Sequence, residues 1–395
     1  MEERITARKS GFSVPKHPTV PFIEGDGIGR EVTEAAKLVV DRAVEKAYGD
    51  RSIEWLEVYA GEKAKERVGE YLPKQTIGSF EKYRVGFKGP LTTPVGGGFR
   101  SLNVAIRQKL DLYCVMRPVK YVKGVPSPMK EDVLDMIVFR EAVEDVYAGI
   151  EYEAGTKDAG KVISFLNKSM NAGIRDPSGI GIKPISRFGS ERLMKMAIKY
   201  ALENKRKSIT IMHKGNIMKF TEGAFREWCY GVAKQFKGRI VLESELSGDT
   251  KGKLVIKDRI ADSMFQQLLL RPEEYDVIVC TNLNGDFLSE AASAQIGGVG
   301  IAPSGNIGDW KAVFEPTHGS APKYAGQDKV NPGSAILSAA MMLDYIGWKE
   351  AARLIENGVG KAIRNKRVTY DLERMMDGAK LLKCSEFARE VAKGI

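Results

Sequence analysis

The sequence has 395 residues, of which 43% are hydrophobic, so the chain can bury a core large enough for two or three domains. Its 61 basic and 51 acidic residues give a net charge of +10, spread without a basic block, which disfavours nucleic-acid binding and suits a pocket for anionic small molecules. Four scattered cysteines without a C-x-x-C pair, and only three histidines, argue against a zinc site and indicate reduced thiols in a cytoplasm.

The first ten residues are polar and lack the pattern of a secretory signal, and no later stretch reaches the roughly 20 apolar residues of a membrane span. Residues 19–23 are predicted to form a buried strand, and the glycine-rich turn Gly25-x-Gly27-x-Gly29 follows it. A helix is then predicted, ending at Gly49. The turn imitates a dinucleotide-binding fingerprint, but its spacing is G-x-G-x-G. A tight turn that needs positive φ is therefore the favoured interpretation.

Short apolar strands and amphipathic helices continue to alternate, which predicts an α/β architecture. Residues 151–186 differ, because they are rich in Gly, Asp, Lys and Ser and show weak helical periodicity; they are predicted to be an inserted β-rich subdomain or a solvated excursion. The remaining predicted strands are 53–59, 84–87, 112–116 (ending at Arg117-Pro118), 208–212, 239–242 and 275–280. The remaining predicted helices start near residue 102, after Gly96-Gly97-Gly98, and cover 192–201, 260–270, 335–346 and 349–363.

The first candidate site is the start of the helix near residue 102. Ser101 occupies the N-cap position, and Asn103 and Arg107 share a helix face because they are four residues apart. Free N–H groups at a helix N-terminus suit a carboxylate, and Arg107 adds a planar two-pronged donor. Arg117 and Arg140 could supply two more guanidinium groups. An ordinary capped surface helix is the alternative interpretation.

The second candidate site is acidic and follows the strand predicted at 275–280. Asp286 and Glu290 lie one helical turn apart, and Asp258 and Asp262 form a second such pair on an earlier predicted helix. Neighbouring carboxylates repel each other unless a cation lies between them, and all-oxygen ligands indicate Mg²⁺ or Mn²⁺. A solvated acidic face is the alternative.

A proton-transfer pair could be formed by Lys214 and Tyr147. Lys214 follows the strand predicted at 208–212. Spacing cannot show that they meet, and a structural lysine is the alternative.

A third candidate site is the loop Glu315-Pro316-Thr317-His318-Gly319-Ser320-Ala321-Pro322-Lys323-Tyr324-Ala325-Gly326. His318 could stack on a base or hydrogen-bond to it. Lys323 and Tyr324, with Tyr370 and Arg374 further along, offer two cations and two phenols that could hold a phosphate monoester. A glycine-rich connector is the alternative.

In combination the motifs S-x-N-x-x-x-R, H-K-G-N-I-M-K, N-L-N-G-D and E-P-T-H-G-S-A-P-K-Y-A-G resemble the isocitrate and isopropylmalate dehydrogenase family, in its bacterial and archaeal NADP-dependent branch. The resemblance runs from about Pro21 to Phe387. It implies an α/β fold that is not a Rossmann fold, with a large domain (1–112 and 297–395), a small domain (113–149 and 187–296) and an intersubunit clasp (150–186). It also implies a cytoplasmic homodimer whose active sites lie between domains and between subunits.

The resemblance implies a role for each candidate residue. Ser101, Asn103, Arg107, Arg117 and Arg140 would hold isocitrate; Tyr147 and Lys214 would transfer protons; and Asp262, Asp286 and Glu290 would bind Mg²⁺ or Mn²⁺, with Lys214 and Asp262 reaching in from a second subunit. Lys88, Thr93 and Asn103 would line the nicotinamide end; His318, Gly319 and Asn331 would contact the nucleotide; and Lys323, Tyr324, Tyr370, Arg374 and a second subunit's Arg271 would read the 2′-phosphate of NADP.

The chain departs from the family at Glu290, where aspartate is usual, so its carboxylate moves by roughly 1 Å and reaches the metal directly or through water.

The implied activity is the oxidative decarboxylation of isocitrate to 2-oxoglutarate and CO₂ with reduction of NADP⁺, a step of the tricarboxylic acid cycle. Ser101 and Asn103 favour isocitrate, because the isopropylmalate branch places a more apolar surface there. A 3-isopropylmalate or homoisocitrate dehydrogenase is the alternative within enzymes. A basic nucleic-acid-binding protein is the alternative outside them. An inactive structural homologue is disfavoured by the retained charged residues.

Overall fold

The computed structural model describes residues 3–8, 11–93, 101–127, 134–246, 248, 250 and 252–395. The predicted Gly96-Gly97-Gly98 turn lies outside these residues. The strands are β1 (Thr6–Ala7), β2 (Phe12–Ser13), β3 (Thr19–Ile23), β4 (Glu54–Glu57), β5 (Val85–Lys88), β6 (Cys114–Lys120), β7 (Asp135–Glu141), β8 (Glu151–Tyr152), β9 (Ile180–Gly181), β10 (Ser208–His213), β11 (Ile240–Leu242), β12 (Leu254–Ile260), β13 (Val277–Cys280), β14 (Pro303–Gly308), β15 (Lys311–Pro316), β16 (Arg367–Val368) and β17 (Lys380–Leu381).

The helices confirm the predicted alternation. They are α1 (Gly29–Tyr48), α2 (Glu62–Val68), α3 (Lys74–Tyr83), α4 (Leu102–Leu110), α5 (Lys157–Met170), α6 (Arg187–Glu203), α7 (Glu222–Ala233), α8 (Ala261–Leu270), α9 (Asn282–Ala294), α10 (Gly333–Tyr345), α11 (Lys349–Arg364), α12 (Tyr370–Glu373) and α13 (Cys384–Gly394). Among the described residues, no helix combines the length and apolar character of a membrane span.

A mixed sheet runs through the described part of the chain, with eleven strands in the order β11-β12-β10-β13-β7-β6-β14-β15-β5-β3-β4. In this order three neighbouring pairs are antiparallel, namely β7 with β6, β6 with β14, and β14 with β15. All the other neighbouring pairs are parallel. The carboxyl ends of β5 and β15 lie together because these strands pair in parallel, and so do those of β7 and β13. Loops that follow parallel strands are where α/β folds place ligands.

Two hydrophobic clusters fill the layers between the sheet and its helices. The larger contains the buried faces of α1, α6, α7, α10, α11 and α13. The smaller packs Leu102, Ile106 and Leu110 of α4 against Phe80 and Val313. Burial of each such side chain is worth about 1.5–3 kcal/mol, so α4 is held firmly by its apolar face while its N-terminus stays available for ligands.

Of the two alternatives predicted for residues 151–186, an inserted β-rich subdomain or a solvated excursion, the β-rich one was wrong. A 14-residue helix, α5, occupies the middle of the segment, and only the two-residue strands β8 and β9 pair at its base. Thr156 caps the helix by accepting the backbone N–H of Ala159 at 3.2 Å. Periodicity was weak because Ala159 and Ile163 supply the buried positions, while Phe165 and Met170 face outward.

The prediction that a strand ends at Arg117-Pro118 was also wrong, because β6 continues to Lys120. Met116 is the last residue of β6 that pairs with β14, whereas Pro118 pairs with Ile137 of β7 on the other side. Proline is tolerated in a strand where one edge is free of a neighbour. The longer strand carries Arg117 into the centre of the molecule.

Candidate active site

A cleft of about 280 Å³ opens above the carboxyl ends of the central strands. Predicted site residues from several separate parts of the sequence line it, and they include all five residues of the predicted substrate-binding set. The lining residues are Pro90, Leu91, Ser101, Asn103, Val104, Arg107, Arg117, Arg140, Tyr147, Asp286, Glu290, Glu315, Pro316, Thr317, His318 and Gly319.

Arg140 and Asp286 form the centre of this cleft. Arg140 pairs with the Asp286 carboxylate and donates from Nε to Asn282 Oδ1 at 2.9 Å. The sheet register explains the meeting, since Cys280 of β13 pairs with Arg140 of β7 and α9 begins two residues later. Gly285 is required at this point because a Cβ there would lie 2.7 Å from Arg140 Cβ.

Tyr147 completes the centre of the cleft. Its hydroxyl donates to Asp286 Oδ2 at 2.5 Å, and the Arg140 guanidinium lies 4.9 Å from its ring centre. Burial by itself would raise the pKa of the Asp286 carboxyl, but Arg140 and the Tyr147 hydroxyl outweigh it and hold that pKa below its ordinary value. Burial raises the pKa of Tyr147, and the hydrogen bond to Asp286 adds to the increase. The phenol therefore keeps its proton at neutral pH.

Arg117 contacts the second acidic residue of α9. Its Nη1 donates to Glu290 Oε1 at 3.0 Å and to Ser289 Oγ at 2.7 Å, and it lies 3.9 Å from Asp286. Partial burial raises the pKa of Glu290, although Arg117 opposes the shift. Asp286 and Glu290 thus offer carboxylate oxygens one helical turn apart, a donor set that suits Mg²⁺ or Mn²⁺. Among the described residues no three acidic, His or Cys side chains cluster as a metal site within this chain.

Glu315, near the end of β15, opens the predicted candidate loop, but no role was predicted for it. It is buried, pairs with Lys88, and accepts from Arg107 Nη2 at 2.9 Å, while Arg107 Nε donates to Asn306 Oδ1 at 2.7 Å. Burial opposes ionisation, but the Lys88 and Arg107 cations hold the pKa of Glu315 well below its ordinary value. Burial lowers the pKa of Lys88. Glu315 therefore fixes one wall of the cleft.

The N-terminus of α4 faces the same cleft, as predicted. Ser101 stands at the N-cap position, but its side chain makes no capping bond; its hydroxyl accepts from Thr93 Oγ1 at 3.2 Å. Asn103, one turn before Arg107, accepts from Lys88 Nζ at 2.7 Å. The first-turn N–H groups of α4 are thus left for an anionic ligand.

Lys214 and Asp262 lie away from the cleft of their own chain. Lys214 Nζ donates to Asp262 Oδ2 at 2.5 Å, beyond the end of β10 and at the start of α8, and neither residue lines the cleft. The prediction that Asp258 shares a helix with Asp262 was wrong, because Asp258 belongs to β12. There it contacts His213 Nε2 at 3.0 Å and accepts from Tyr230 Oη at 2.6 Å.

The predicted nucleotide residues form a second group. The rings of Tyr324 and Tyr370 lie 6.2 Å apart, and Lys323 Nζ is 5.0 Å from the Tyr324 ring centre. Arg374 follows α12 and donates to Asp371 O at 3.3 Å. Lys329, which was not predicted, lies 4.9 Å from the Tyr370 ring centre.

Asn331 and His318 are two further residues predicted to contact the nucleotide. Asn331 is buried and donates from Nδ2 to Asp371 Oδ2 at 2.9 Å. Nδ1 of His318 lies 3.0 Å from Gly319 O, and its buried Nε2 has no hydrogen-bond partner. Burial lowers the pKa of His318, so the ring is neutral. An unpartnered ring nitrogen at the cleft edge is available to a ligand.

The turn Gly25-x-Gly27-x-Gly29 is a tight turn, as expected. Gly25 and Gly27 have φ of 94° and 58°. A Cβ on Gly27 would lie 2.0 Å from Ser320 O, to which Ile28 N donates at 2.9 Å. The glycines therefore let this turn pack against the His318 loop.

A family model for isocitrate/isopropylmalate dehydrogenases matches residues 19–391 of the sequence. The chain belongs to the isocitrate/isopropylmalate dehydrogenase family. The NADP isocitrate dehydrogenase of Pseudomonas aeruginosa is 57% identical over 98% of this chain and 95% of its own, and that of Archaeoglobus fulgidus is 54% identical over 100% and 96%. The crystal structure of isocitrate dehydrogenase from Methylococcus capsulatus is 35% identical, with a TM-score of 0.81 over 96% of this chain and 99% of its own.

Membership of the family explains why most cleft residues could be predicted from the sequence and why some residues of the site were not. Glu315, Asn282 and Lys329 all lie within or beside the quoted family motifs, but no spacing rule marked them as contacts of a site residue. Glu315 carried one usable signal, an acid at the end of an apolar strand.

Arg271, predicted to act from a second subunit, is exposed at the end of α8 and donates to Gln267 Oε1 at 2.9 Å.

Proposed function

We propose that this chain catalyses the oxidative decarboxylation of isocitrate to 2-oxoglutarate and CO₂, with NADP⁺ as the hydride acceptor, as a cytoplasmic enzyme of the tricarboxylic acid cycle. The observation that carries the proposal is the convergence of Arg107, Arg117 and Arg140 with Tyr147 and Asp286 in one cleft. The names of the family relatives support the same substrate and acceptor.

The charges of the cleft fit a trianionic substrate that binds with a divalent cation. Three guanidinium groups line the cleft opposite three carboxylates, Asp286, Glu290 and Glu315, and Lys88 adds a further cation behind Glu315. The charges of these side chains therefore nearly cancel, and a bound trianion alone would make the cleft negative. We propose that Mg²⁺ or Mn²⁺ balances that charge, held by Asp286, by Glu290 directly or through water, and by Asp262 of a second subunit.

The groups of this chain then act at stated atoms. A bound metal would supply Lewis-acid chemistry to the substrate, and a bound nicotinamide would accept the hydride from C2. Ser101, Asn103 and the three arginines hold the carboxylates. Asp286 and a second subunit's Lys214 take the proton of the C2 hydroxyl. Tyr147, whose pKa is raised, protonates C3 after CO₂ leaves.

We propose that the second group of residues reads the nucleotide. Lys323, Tyr324, Tyr370, Arg374 and a second subunit's Arg271 hold the 2′-phosphate; His318, Gly319 and Asn331 contact the rest of the nucleotide; and Lys88, Thr93 and Asn103 line the nicotinamide end. Lys323 and Lys329 lie close to the rings of Tyr324 and Tyr370, and this supports the proposal. Such a pocket offers positive charge and hydroxyl donors to a phosphate monoester.

A homodimer with shared sites is part of the proposal. Large apolar side chains are exposed near residues proposed to act across an interface and near the cleft itself. Phe220 is 91% exposed, six residues after Lys214; Leu269 is 62% exposed on the helix that carries Asp262; and Phe287 is 58% exposed next to Asp286 of the cleft. We take these exposed apolar side chains as support for an interaction face.

The domain division stays a prediction: a large domain of 1–112 and 297–395, a small domain of 113–149 and 187–296, and a clasp of 150–186. The exposed Phe165 and Met170 of α5 support the clasp as a further intersubunit contact.

The test is an absorbance assay of NADP⁺ and NAD⁺ reduction with isocitrate, with Mg²⁺ or with a chelator. We expect metal-dependent NADPH formation, and weaker reduction of NAD⁺. Parallel assays with 3-isopropylmalate and homoisocitrate separate the alternatives. Faster turnover of either acid than of isocitrate would overturn the substrate assignment.

A further inference from the structure

Glu222, the first residue of α7, is fully buried and does not line the cleft. Its carboxylate nevertheless contacts four groups from three other segments. Oε1 accepts from Thr281 Oγ1 at 2.8 Å and pairs with Lys183 Nζ at 3.0 Å. Oε2 accepts from Asn284 Nδ2 at 2.8 Å and from the backbone N–H of Lys214 at 3.0 Å. A buried carboxylate is tolerated only when it is paired and hydrogen-bonded, and this one is fully partnered.

Two of these contacts hold the start of α9, the helix that carries Asp286. Thr281 occupies the N-cap position of α9, but its hydroxyl is used by Glu222 rather than by the helix. Asn284 lies in the first turn and donates to the other oxygen of the same carboxylate. Glu222 therefore sets the position of the helix end that delivers Asp286 to the cleft.

A third contact holds Lys214. Its backbone N–H donates to Glu222, and the next N–H, of Gly215, donates to His213 Nδ1 at 3.0 Å. Two side chains thus fix the backbone on either side of the Lys214 Cα, and this determines the direction in which the lysine leaves the end of β10.

The fourth contact extends the arrangement to the turn that carries Tyr147. Lys183 also pairs with the buried Asp145 at 2.5 Å, and Asp145 accepts the backbone N–H of Leu283 at 3.0 Å, so it caps α9 from outside the helix. Asp145 has φ of 68° and opens the turn Asp145–Ala148.

We propose that Glu222 is a positioning residue that orients Lys214 for the active site of the partner subunit and Asp286 for the active site of its own. This rests on the proposed function, in which Lys214 acts across the subunit interface. One buried carboxylate then ties together the parts that a single chain contributes to two different sites. A displacement of reacting groups by about 1 Å can cost on the order of a hundredfold in rate, so the position of both groups matters.

Glu222→Gln tests the proposal with little change in shape. The amide offers one oxygen and one NH₂. The backbone N–H of Lys214 and the Lys183 ammonium can only donate, whereas the Thr281 hydroxyl can rotate and the Asn284 amide can flip to accept. The oxygen is expected to stay with Lys214 N, while NH₂ turns to the rotatable Thr281 hydroxyl and loses Lys183. We expect kcat with isocitrate to fall about ten- to a hundredfold while KM for NADP⁺ is unchanged.

Asp276→Asn is the matched control. Asp276 stands at the other end of β13, where it accepts from Arg206 Nη1 at 2.8 Å and from Lys207 N at 2.5 Å. It too pairs a carboxylate with one cation and one backbone N–H, but far from both halves of the site. We expect it to lower the melting temperature without lowering kcat. An equal loss of kcat in both variants would mean that Glu222 acts through general stability, and would overturn the proposal.

Hybrid dimers test the two roles separately. One subunit carries Lys214→Met and the other Tyr147→Phe, so one intact site remains, built from the first subunit's Tyr147 and the second subunit's Lys214. Glu222→Gln is then added to either subunit, and both placements are expected to lower kcat. If one placement has no effect, Glu222 does not serve both sites. If the unmodified hybrid and the unmodified homodimer are inactive with isocitrate, the proposed function fails instead.

Thr281→Val provides a second variant should Glu222→Gln fail to fold. It removes only the hydroxyl that joins α9 to Glu222, and it keeps the side-chain shape. In the hybrid we expect it to lower kcat when it is placed in the subunit with the intact Tyr147. In the subunit with the intact Lys214 it should have no effect. An effect of equal size in both placements, or in neither, would contradict the proposal.

Discussion

Replacing Glu315 by glutamine tests whether the wall of the cleft is held by a buried ion cluster. Glu315, Lys88 and Arg107 expose only 7%, 2% and 9% of their side chains, so solvent does little to screen them. The substitution keeps the shape of the side chain but leaves two buried cations without a counter-charge. Breaking a buried ion pair in this way costs about 3–5 kcal/mol. We expect that loss in the free energy of unfolding.

The assay is urea denaturation followed by circular dichroism at one fixed protein concentration, because unfolding of an oligomer depends on concentration. Glu34→Gln is the control: its carboxylate is 63% exposed and lies 3.5 Å from Arg30 in a surface pair, so the expected change is within about 0.5 kcal/mol. A loss below about 1 kcal/mol for Glu315→Gln would refute the reasoning, since the two cations would then have found water or another partner.

The same substitution predicts a pH dependence. The folded-state pKa of Glu315 is depressed below its ordinary value of 4.5, so its ionised form stabilises the folded state. That contribution is fully present above the unfolded-state pKa and is lost as pH falls below it toward the folded-state value. The difference in stability between the unmodified chain and Glu315→Gln should therefore stay constant from neutral pH down to about 5 and shrink at lower pH. A difference that grows on acidification would contradict the direction of the shift.

Three further predictions concern activity. Lys214→Met should lower kcat by about 10²–10⁴-fold while the Kd for NADP⁺ stays the same by fluorescence titration; normal turnover would remove the lysine from the mechanism. Lys323→Asp should raise the KM for NADP⁺ more than tenfold, because about 1.5–3 kcal/mol of charge-assisted bonding is lost, and should leave KM for NAD⁺ unchanged; equal effects would discredit the 2′-phosphate assignment. Chelation should abolish turnover, with Mn²⁺ or Mg²⁺ restoring it; full activity in chelator would contradict the metal site.

Local pattern was enough for much of the fold. The strand Thr19–Ile23, the helix ending at Gly49 and the start of α4 all followed from periodicity and capping signals. The hairpin of β14 and β15 did not, because its turn contains Asp309 and Trp310 where Asn-Gly would be the recognisable signal. Trp310 has φ of 59°, which large side chains rarely adopt.

The candidate site was likewise predictable from the sequence only in part. Residues that are proposed to contact the ligand fall into motifs, since Ser101, Asn103 and Arg107 have a fixed spacing at the start of one helix. Residues that hold those residues in place do not, since Glu315 lies more than two hundred positions from Arg107 and Glu222 lies 59 from Thr281. Their partners are set by sheet order and register, which depend on long-range pairing rather than on local sequence.

The pairing of cations in the cleft explains how one site can be ordered before its substrate arrives. Each arginine already faces a carboxylate: Arg107 faces Glu315, Arg117 faces Glu290 and Arg140 faces Asp286. Two of these carboxylates, on α9, are the proposed metal ligands, so a bound cation and a bound trianion would exchange partners with them and keep the total charge near zero. Glu315 would not exchange its ion-pair partners in this way, because it is buried between Arg107 and Lys88. We therefore expect Arg107 to keep Glu315 as its partner when substrate binds, and we expect the substrate carboxylates to replace Glu290 and Asp286 as the partners of Arg117 and Arg140.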